Sequence, residues 1–295
     1  MRKPVVAALA LALVLACLLA YLNSPQASPN QAYYEAWAPF WLPEEGMQAM
    51  LLLNNNRGEE VPFELEVYDP EGALLEVASQ LAKPNASLSL PLGEYLKGVR
   101  SGSIAVRYQR ELAAELPTQL LVQGPGVSAN YLFSERRFHS TPEARAAFWL
   151  PTRQTKLYAL LLNKSSEMRH VELEIQTHKG RTIRDSLVLG PGMLTTFELR
   201  ERYALRWGEV SGSIRVSHAG KPGDVVAQGF AIDARRGFSA GLEWGDAGFA
   251  SLSSSLILKH VKYGSHEEGF LVPHVTLANL SDSDLLVRPL LRLDG

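Results

Sequence analysis

Two hydrophobic rhythms run along this chain, and both belong to β-strands. Apolar and polar positions alternate strictly through Phe63–Val67, Leu88–Leu90, Val171–Ile175 and Ser213–Val216, which predicts strands with one face buried and the other in water. Short unbroken apolar runs at Leu51–Leu53 and Leu160–Leu162 are bounded by Asn-rich or Ser-rich turns and predict central strands. Turn chemistry separates these segments at Asn54–Gly58, Asp69–Gly72, Lys179–Gly180 and Gly190–Gly192. Only Gly93–Lys97 and Leu199–Arg206 suggest short helical turns. A different pattern opens the chain: Pro4–Leu22 is uncharged, apolar on every side and preceded by Arg2 and Lys3.

The strand pattern repeats about a hundred residues on, the size of a small β-sandwich. Ala38-Pro39-Phe40-Trp41-Leu42-Pro43 is echoed by Ala146-Ala147-Phe148-Trp149-Leu150-Pro151, and Glu64-Leu65-Glu66-Val67 by Glu172-Leu173-Glu174-Ile175. Between these blocks, Ala49–Asn54 aligns by its leucines with Tyr158–Asn163. Ser101-Gly102-Ser103 matches Ser211-Gly212-Ser213, Gln123-Gly124 matches Gln228-Gly229, and Gly126–Ala129 matches Gly237–Ala240. A third copy begins at Ile257–Val261, continues through Val275–Asn279 and reaches Val287–Leu293. The expected organisation is a signal or anchor segment at 1–30, modules at 31–136 and 143–246, and a partial third module at 255–295.

An apolar strand ending in Asn, an alternating strand, a Gly turn, a Gly-Ser strand and a Gln-Gly strand together resemble the tandem immunoglobulin-like or fibronectin-like modules of bacterial surface and periplasmic proteins. That resemblance implies an all-β chain of about seven strands per module, preceded by one N-terminal hydrophobic helix. The cysteine pair and intervening tryptophan of antibody domains are absent.

Composition narrows the function. With 46% hydrophobic residues in 295, the chain can bury real cores, and a net charge of −2 with both signs mixed along its length leaves no footprint for nucleic acid. Cys17, the single cysteine, lies in the N-terminal run, so the body has neither disulfide nor thiolate metal site. The run itself reads as an export segment with its basic end in the cytoplasm, and its length suits a retained membrane anchor through Val5, Leu9, Leu13 and Leu19. A cleaved, secreted form and a lipoprotein modified at Cys17 are the alternatives; each leaves the body extracytoplasmic, in the periplasm or at the cell surface.

Five groups of residues carry candidate chemistry. Gly237–Gly241 fits the Gly-x-Ser-x-Gly nucleophile elbow around Ser239, but no helix pattern follows, and Ser128 holds the same place in the first repeat. His260, His266 and His274 match no zinc spacing, and Asp282 and Asp284 lack the glycine and distal glutamate of a calcium loop. Tyr33, Tyr34 and Trp37, unmatched in the second repeat, are candidates for a ligand platform. Asn85, Asn163 and Asn279 head formal glycosylation sequons, and turn formation explains them equally well. The resulting expectation is a membrane-tethered binding or structural array with an unidentified protein or glycan partner, no cofactor and no turnover. Carbohydrate binding is the alternative, and a serine hydrolase at Ser239 ranks behind both.

Overall fold

The computed structural model describes residues 33–109, 116–124, 127–133, 141–206, 208–236, 238–242, 244–246, 264–266 and 269–271. The expected N-terminal helix, the anchor residues Val5, Leu9, Leu13 and Leu19, Cys17, and most of the third copy, with His260, His274, Asp282 and Asp284, lie outside them. No helix among the described residues is long and apolar enough to cross a membrane.

The first unit contains β1 (Tyr33–Trp41), β2 (Gln48–Asn55), β3 (Val61–Tyr68), β4 (Leu74–Ala82), β5 (Ala86–Pro91), β6 (Ser101–Gln109), β7 (Thr118–Gly124) and β8 (Val127–Leu132). Two antiparallel sheets result: sheet I in the order β1-β6-β3-β4 and sheet II in the order β5-β2-β7-β8. The second unit contains β9 (Glu143–Trp149), β10 (Lys156–Asn163), β11 (Arg169–Thr177), β12 (Thr182–Leu189), β13 (Leu194–Glu198), α1 (Leu199–Tyr203), β14 (Ser211–His218), β15 (Val225–Asp233), β16 (Phe238–Gly241) and β17 (Trp244–Asp246). Its sheet III runs β12-β11-β14-β9-β17 and its sheet IV runs β13-β10-β15-β16, so both orders of the first unit recur and β17 is an addition. A separate hairpin pairs β18 (Gly264–His266) with β19 (Gly269–Leu271). The described residues are thus all-β apart from α1 and a 3-10 turn at Ala234–Arg236.

The alternation in the sequence maps onto the pleat. Phe63, Leu65 and Val67 of β3, and Val171, Leu173 and Ile175 of β11, are buried, while Glu64 and Glu172 face water. The edge strand β5 alternates only between half-buried and exposed, because one of its sides has no neighbouring strand. Burying a side chain such as Leu65 contributes about 1.5–3 kcal/mol, and with no disulfide in the body such interiors must supply the stability.

The glycine of each Ser-Gly-Ser block is a packing requirement. Gly102 pairs with Phe40 and Gly212 with Phe148. A Cβ at Gly102 would lie 2.0 Å from the Tyr68 carbonyl oxygen, and one at Gly212 would lie 2.2 Å from that of Gln176 and 2.8 Å from the Phe148 ring. Any larger residue forces the neighbouring strand away.

Strand register corrects two of the sequence matches. The equivalent of Asn163 is Asn55 rather than Asn54: each is buried, and each side-chain nitrogen donates to three backbone carbonyls at corresponding places. Aligning the leucine triplets as letters slips one residue, which exchanges the faces of the strand. Similarly, Gln228 pairs with Leu160 as Gln119 pairs with Leu52, so Gln119 rather than Gln123 is its counterpart. The match of Ser128 with Ser239 agrees with the ladder registers.

Asn163 sits in a buried lock. Its Oδ1 accepts the Ser165 backbone N–H at 3.0 Å and the Ser165 hydroxyl at 2.7 Å, so this sequon is an Asx turn whose amide has no room for a glycan. Asn85 is exposed with φ 48°, a left-handed turn residue between β4 and β5. Asn279 lies outside the described residues.

Candidate functional site

The feature that sets this molecule apart from two beads on a string is the junction between its sandwiches. Strand β10 is buried along both faces: Leu157, Ala159 and Leu161 enter the interior of the second sandwich, while Tyr158, Leu160 and Leu162 join the interior of the first. Leu194, Val226, Phe230 and Ile232 join them, so the outer surface of sheet IV closes against the first sandwich where β1 and β8 end its two sheets. The Trp41 ring stands edge-on to Tyr158 at 4.1 Å between centroids, and Tyr131 meets Phe230 at 5.7 Å. Such aromatic pairs add about 0.5–1.5 kcal/mol each beyond their buried area.

Polar contacts fix the register of the two units. The Leu194 N–H donates to the Pro70 carbonyl at 2.8 Å. Two tight turns interlock beside it: a Cβ at Gly72 would lie 2.6 Å from the Pro191 carbonyl oxygen, and φ there is +89°. The edges of β8 and β16 are bridged by one side chain, because the Ser239 hydroxyl accepts the Ser128 N–H at 3.1 Å and donates to the Ser128 carbonyl. Ser239 therefore sits within a strand, occupied by backbone bonding, rather than on the strand-to-helix turn that a nucleophile elbow needs.

The second sandwich closes its own corresponding edge differently. After β16 the chain crosses to sheet III, where β17 pairs with Ala144–Ala146, and Leu242 and Trp244 pack against the interior. The end of β9 at Ala147–Trp149 extends beyond that pairing.

The three aromatics expected to form a ligand platform are not brought together on one open face. Tyr34 packs on Tyr108 at 4.8 Å, and Trp37 is 7% exposed against Tyr68 at 5.0 Å; Tyr33 alone is open, at 60%. Beside Trp37 lies a charged group that the sequence did not single out. Arg107 donates through Nε to Glu35 at 2.8 Å and through Nη1 to Glu66, whose carboxylate also takes the Tyr68 hydroxyl. Burial, followed by the Glu66 hydrogen bond, holds the Tyr68 phenol above its ordinary value. The signal available was the pairing of Glu64-Leu65-Glu66 with a strand carrying Arg107 two residues past Ala105, which only the register reveals.

A cleft of about 470 Å³ opens at one end of the first sandwich, floored by Leu42, Met47 and Leu96 and edged by Glu44, Glu45 and Arg100. Among the described residues no group of three or more His, Cys, Asp or Glu side chains could hold a metal ion. His266 is described only as a backbone position at the end of β18, paired with Gly269.

One ion-pair group of the second sandwich ties its loops. Buried Glu209 accepts the Arg206 N–H at 2.7 Å, the Arg181 guanidinium at 3.1 Å and the Thr177 hydroxyl at 3.3 Å, joining the β11–β12 turn to the segment before β14. Burial opposes its charge, but these donors outweigh that and hold the carboxyl below the usual range. The Asp185 carboxyl is likewise lowered: burial opposes, and the hydrogen bonds from Arg202 and Tyr203 outweigh it. Depressed folded-state values contribute stability above the unfolded carboxylate range, about pH 4, and lose it as pH falls through the folded values. The expected unfolding midpoint, followed by circular dichroism, drops steeply below about pH 4, and Glu209→Gln flattens part of that drop.

Comparison with known proteins adds no family. No family model and no curated protein matches this chain. Solved structures give weak likenesses. A glycosyl hydrolase family 2 member from Bacteroides cellulosilyticus is 13% identical with a TM-score of 0.18, matching 72% of this chain and 28% of its own. A putative β-galactosidase from Bacteroides fragilis is 14% identical with a TM-score of 0.19, matching 67% and 32%. A Bacteroides uniformis β-glucuronidase is 10% identical with a TM-score of 0.18, matching 71% and 26%. This chain therefore spans about a third or less of their lengths, and likeness at this level carries no argument about activity.

Proposed function

We propose that this chain is an extracytoplasmic, membrane-tethered array of immunoglobulin-like sandwiches that acts as a stiff binding or spacing element rather than as a catalyst. The observation that supports it is the junction: one apolar interior runs from Phe40 and Leu120 of the first sandwich to Tyr158 and Phe230 of the second. Modules joined by a flexible linker place their outer surfaces independently, whereas modules that share an interior hold them at a fixed spacing. The basic-then-apolar start of the chain supports the tether, with Val5, Leu9, Leu13 and Leu19 in a membrane-crossing helix. Burial of about 20 apolar residues suffices for stable anchoring without lipid.

The test is protease treatment of bacterial cells producing the full chain. The body is expected in the membrane fraction, shielded in intact cells and cleaved once the outer envelope is opened. Recovery of the body in the cytosol contradicts the proposal. Leu9→Arg combined with Leu13→Arg is expected to release the protein from membranes, since each charge at a helix centre costs about 2.5–3.5 kcal/mol of insertion.

One observation favours glycan binding as a second reading: the open ring of Tyr33 at the start of β1. Tyr33→Ala is expected to abolish binding on a glycan array under that reading, and the absence of any wild-type signal would end it.

A further inference from the structure

The junction can be read as a rule that the sequence applies more than once. Trp41 ends β1 opposite Ser101, and Trp149 ends β9 opposite Ser211, so the two tryptophans occupy equivalent positions on sheets I and III. Trp41 meets Tyr158, which projects from the outer face of the next module's Asn-ending strand. Aligned on its own Asn-x-Ser, the third copy's Asn279-Leu280-Ser281 corresponds to Asn163-Lys164-Ser165. His274, Thr276 and Ala278 then fall at the positions of Tyr158, Leu160 and Leu162.

The two surfaces have changed character together. On sheet I the outer positions of β1 are Trp37, Pro39 and Trp41; on sheet III they are Arg145, Ala147 and Trp149. Arg145 and Arg215 both reach Glu143 there, where sheet I has Trp37 and Ala105. The acceptor positions of sheet III and the corresponding positions in the third copy's sequence have thus both become more polar, the paired change that a retained interface requires. The spacing of equivalent first strands is also kept, since Ile257–Val261 follows Phe148–Pro151 at nearly the distance by which that block follows Phe40–Pro43. A tether of similar length makes the contact intramolecular and favours it over a second chain.

We infer that the face of sheet III at Ala147 and Trp149 is the docking site for this chain's own residues 273–279, the third copy's Asn-ending strand. The inference rests on the array reading, and the docking continues head-to-tail in the sense set by the first junction.

Paired cysteines in the full chain test it, with Cys17→Ser as the parent and a short bis-maleimide as the probe. Ala147→Cys with Thr276→Cys is expected to link within one chain. Ser89→Cys, on the exposed outer face of sheet II, is expected not to link to Thr276→Cys. Ser128→Cys with Ser239→Cys reports the established junction and must link if the array reading holds. Failure of that control alone sinks the array reading. With the control intact, an absent Ala147–Thr276 link, a link only between two chains, or equal linking from Ser89 overturns the docking. Hydrogen exchange provides a second reading: amides of 273–279 are expected to lose protection in Trp149→Ala, and unchanged protection contradicts the inference.

Discussion

Alanine at position 163 is expected to lower the unfolding midpoint by roughly 10 °C. Asn163 is fully buried, and its nitrogen is shared among the carbonyls of Glu167 at 2.7 Å, Leu189 at 3.0 Å and Gly190 at 2.9 Å, while its oxygen takes the Ser165 N–H. Truncation strands several of these groups without water, at about 1–3 kcal/mol for each orphaned one, or about 3 kcal/mol or more in total. A domain of this size loses about 2–4 °C per kcal/mol, which gives the expected shift in a thermal melt. Asn163→Asp should be worse, because the carboxylate oxygen that replaces Nδ2 then faces three carbonyl oxygens with no donor of its own. Asn55→Ala should match Asn163→Ala, whereas Asn54→Ala, at an exposed position, should change stability by no more than about 0.5 kcal/mol. Equal effects at 54 and 55 would refute the register assigned here.

Adding one methyl group at Gly212 is expected to cost about 3 kcal/mol. Its Cβ has nowhere to go between the Gln176 carbonyl oxygen at 2.2 Å and the Phe148 ring at 2.8 Å, so β14 must part from β11. Overpacking of a rigid site costs about 1–3 kcal/mol, and backbone obstacles give less than side chains do. Gly102→Ala should behave alike in the first sandwich, whereas Gly58→Ala, with nothing within 4 Å, should be nearly silent in a denaturant titration. Wild-type stability in Gly212→Ala would show that the Ser-Gly-Ser block is not a packing device.

Much of the fold was legible because alternation reports a half-buried strand directly: Phe63–Val67 and Val171–Ile175 became β3 and β11 with the anticipated faces inward. Repetition made the strand order legible too, since both sheet orders recur. What the letters could not give was the neighbour on the far side. Met50 and Leu52 of β2 are half-exposed, yet Tyr158 and Leu160, their counterparts in β10, are buried, because a whole sandwich covers one strand and not the other. The slip at Asn54 has the same origin: three successive leucines hide which of them point inward. Of the expected platform, Trp37 was lost to Tyr68, a partner brought near only by the β3–β6–β1 register. Ser239 was rightly tied to Ser128 by repetition, but the contact between these two equivalent serines follows from how the sandwiches meet.

The shared interior at Trp41, Tyr158 and Phe230 carries the whole account, and calorimetry of the intact chain measures it most directly. A single transition is predicted, with calorimetric and van't Hoff enthalpies agreeing, because neither sandwich can open without exposing the other. Two separate transitions, each unmoved when Trp41→Ala is introduced, would contradict it.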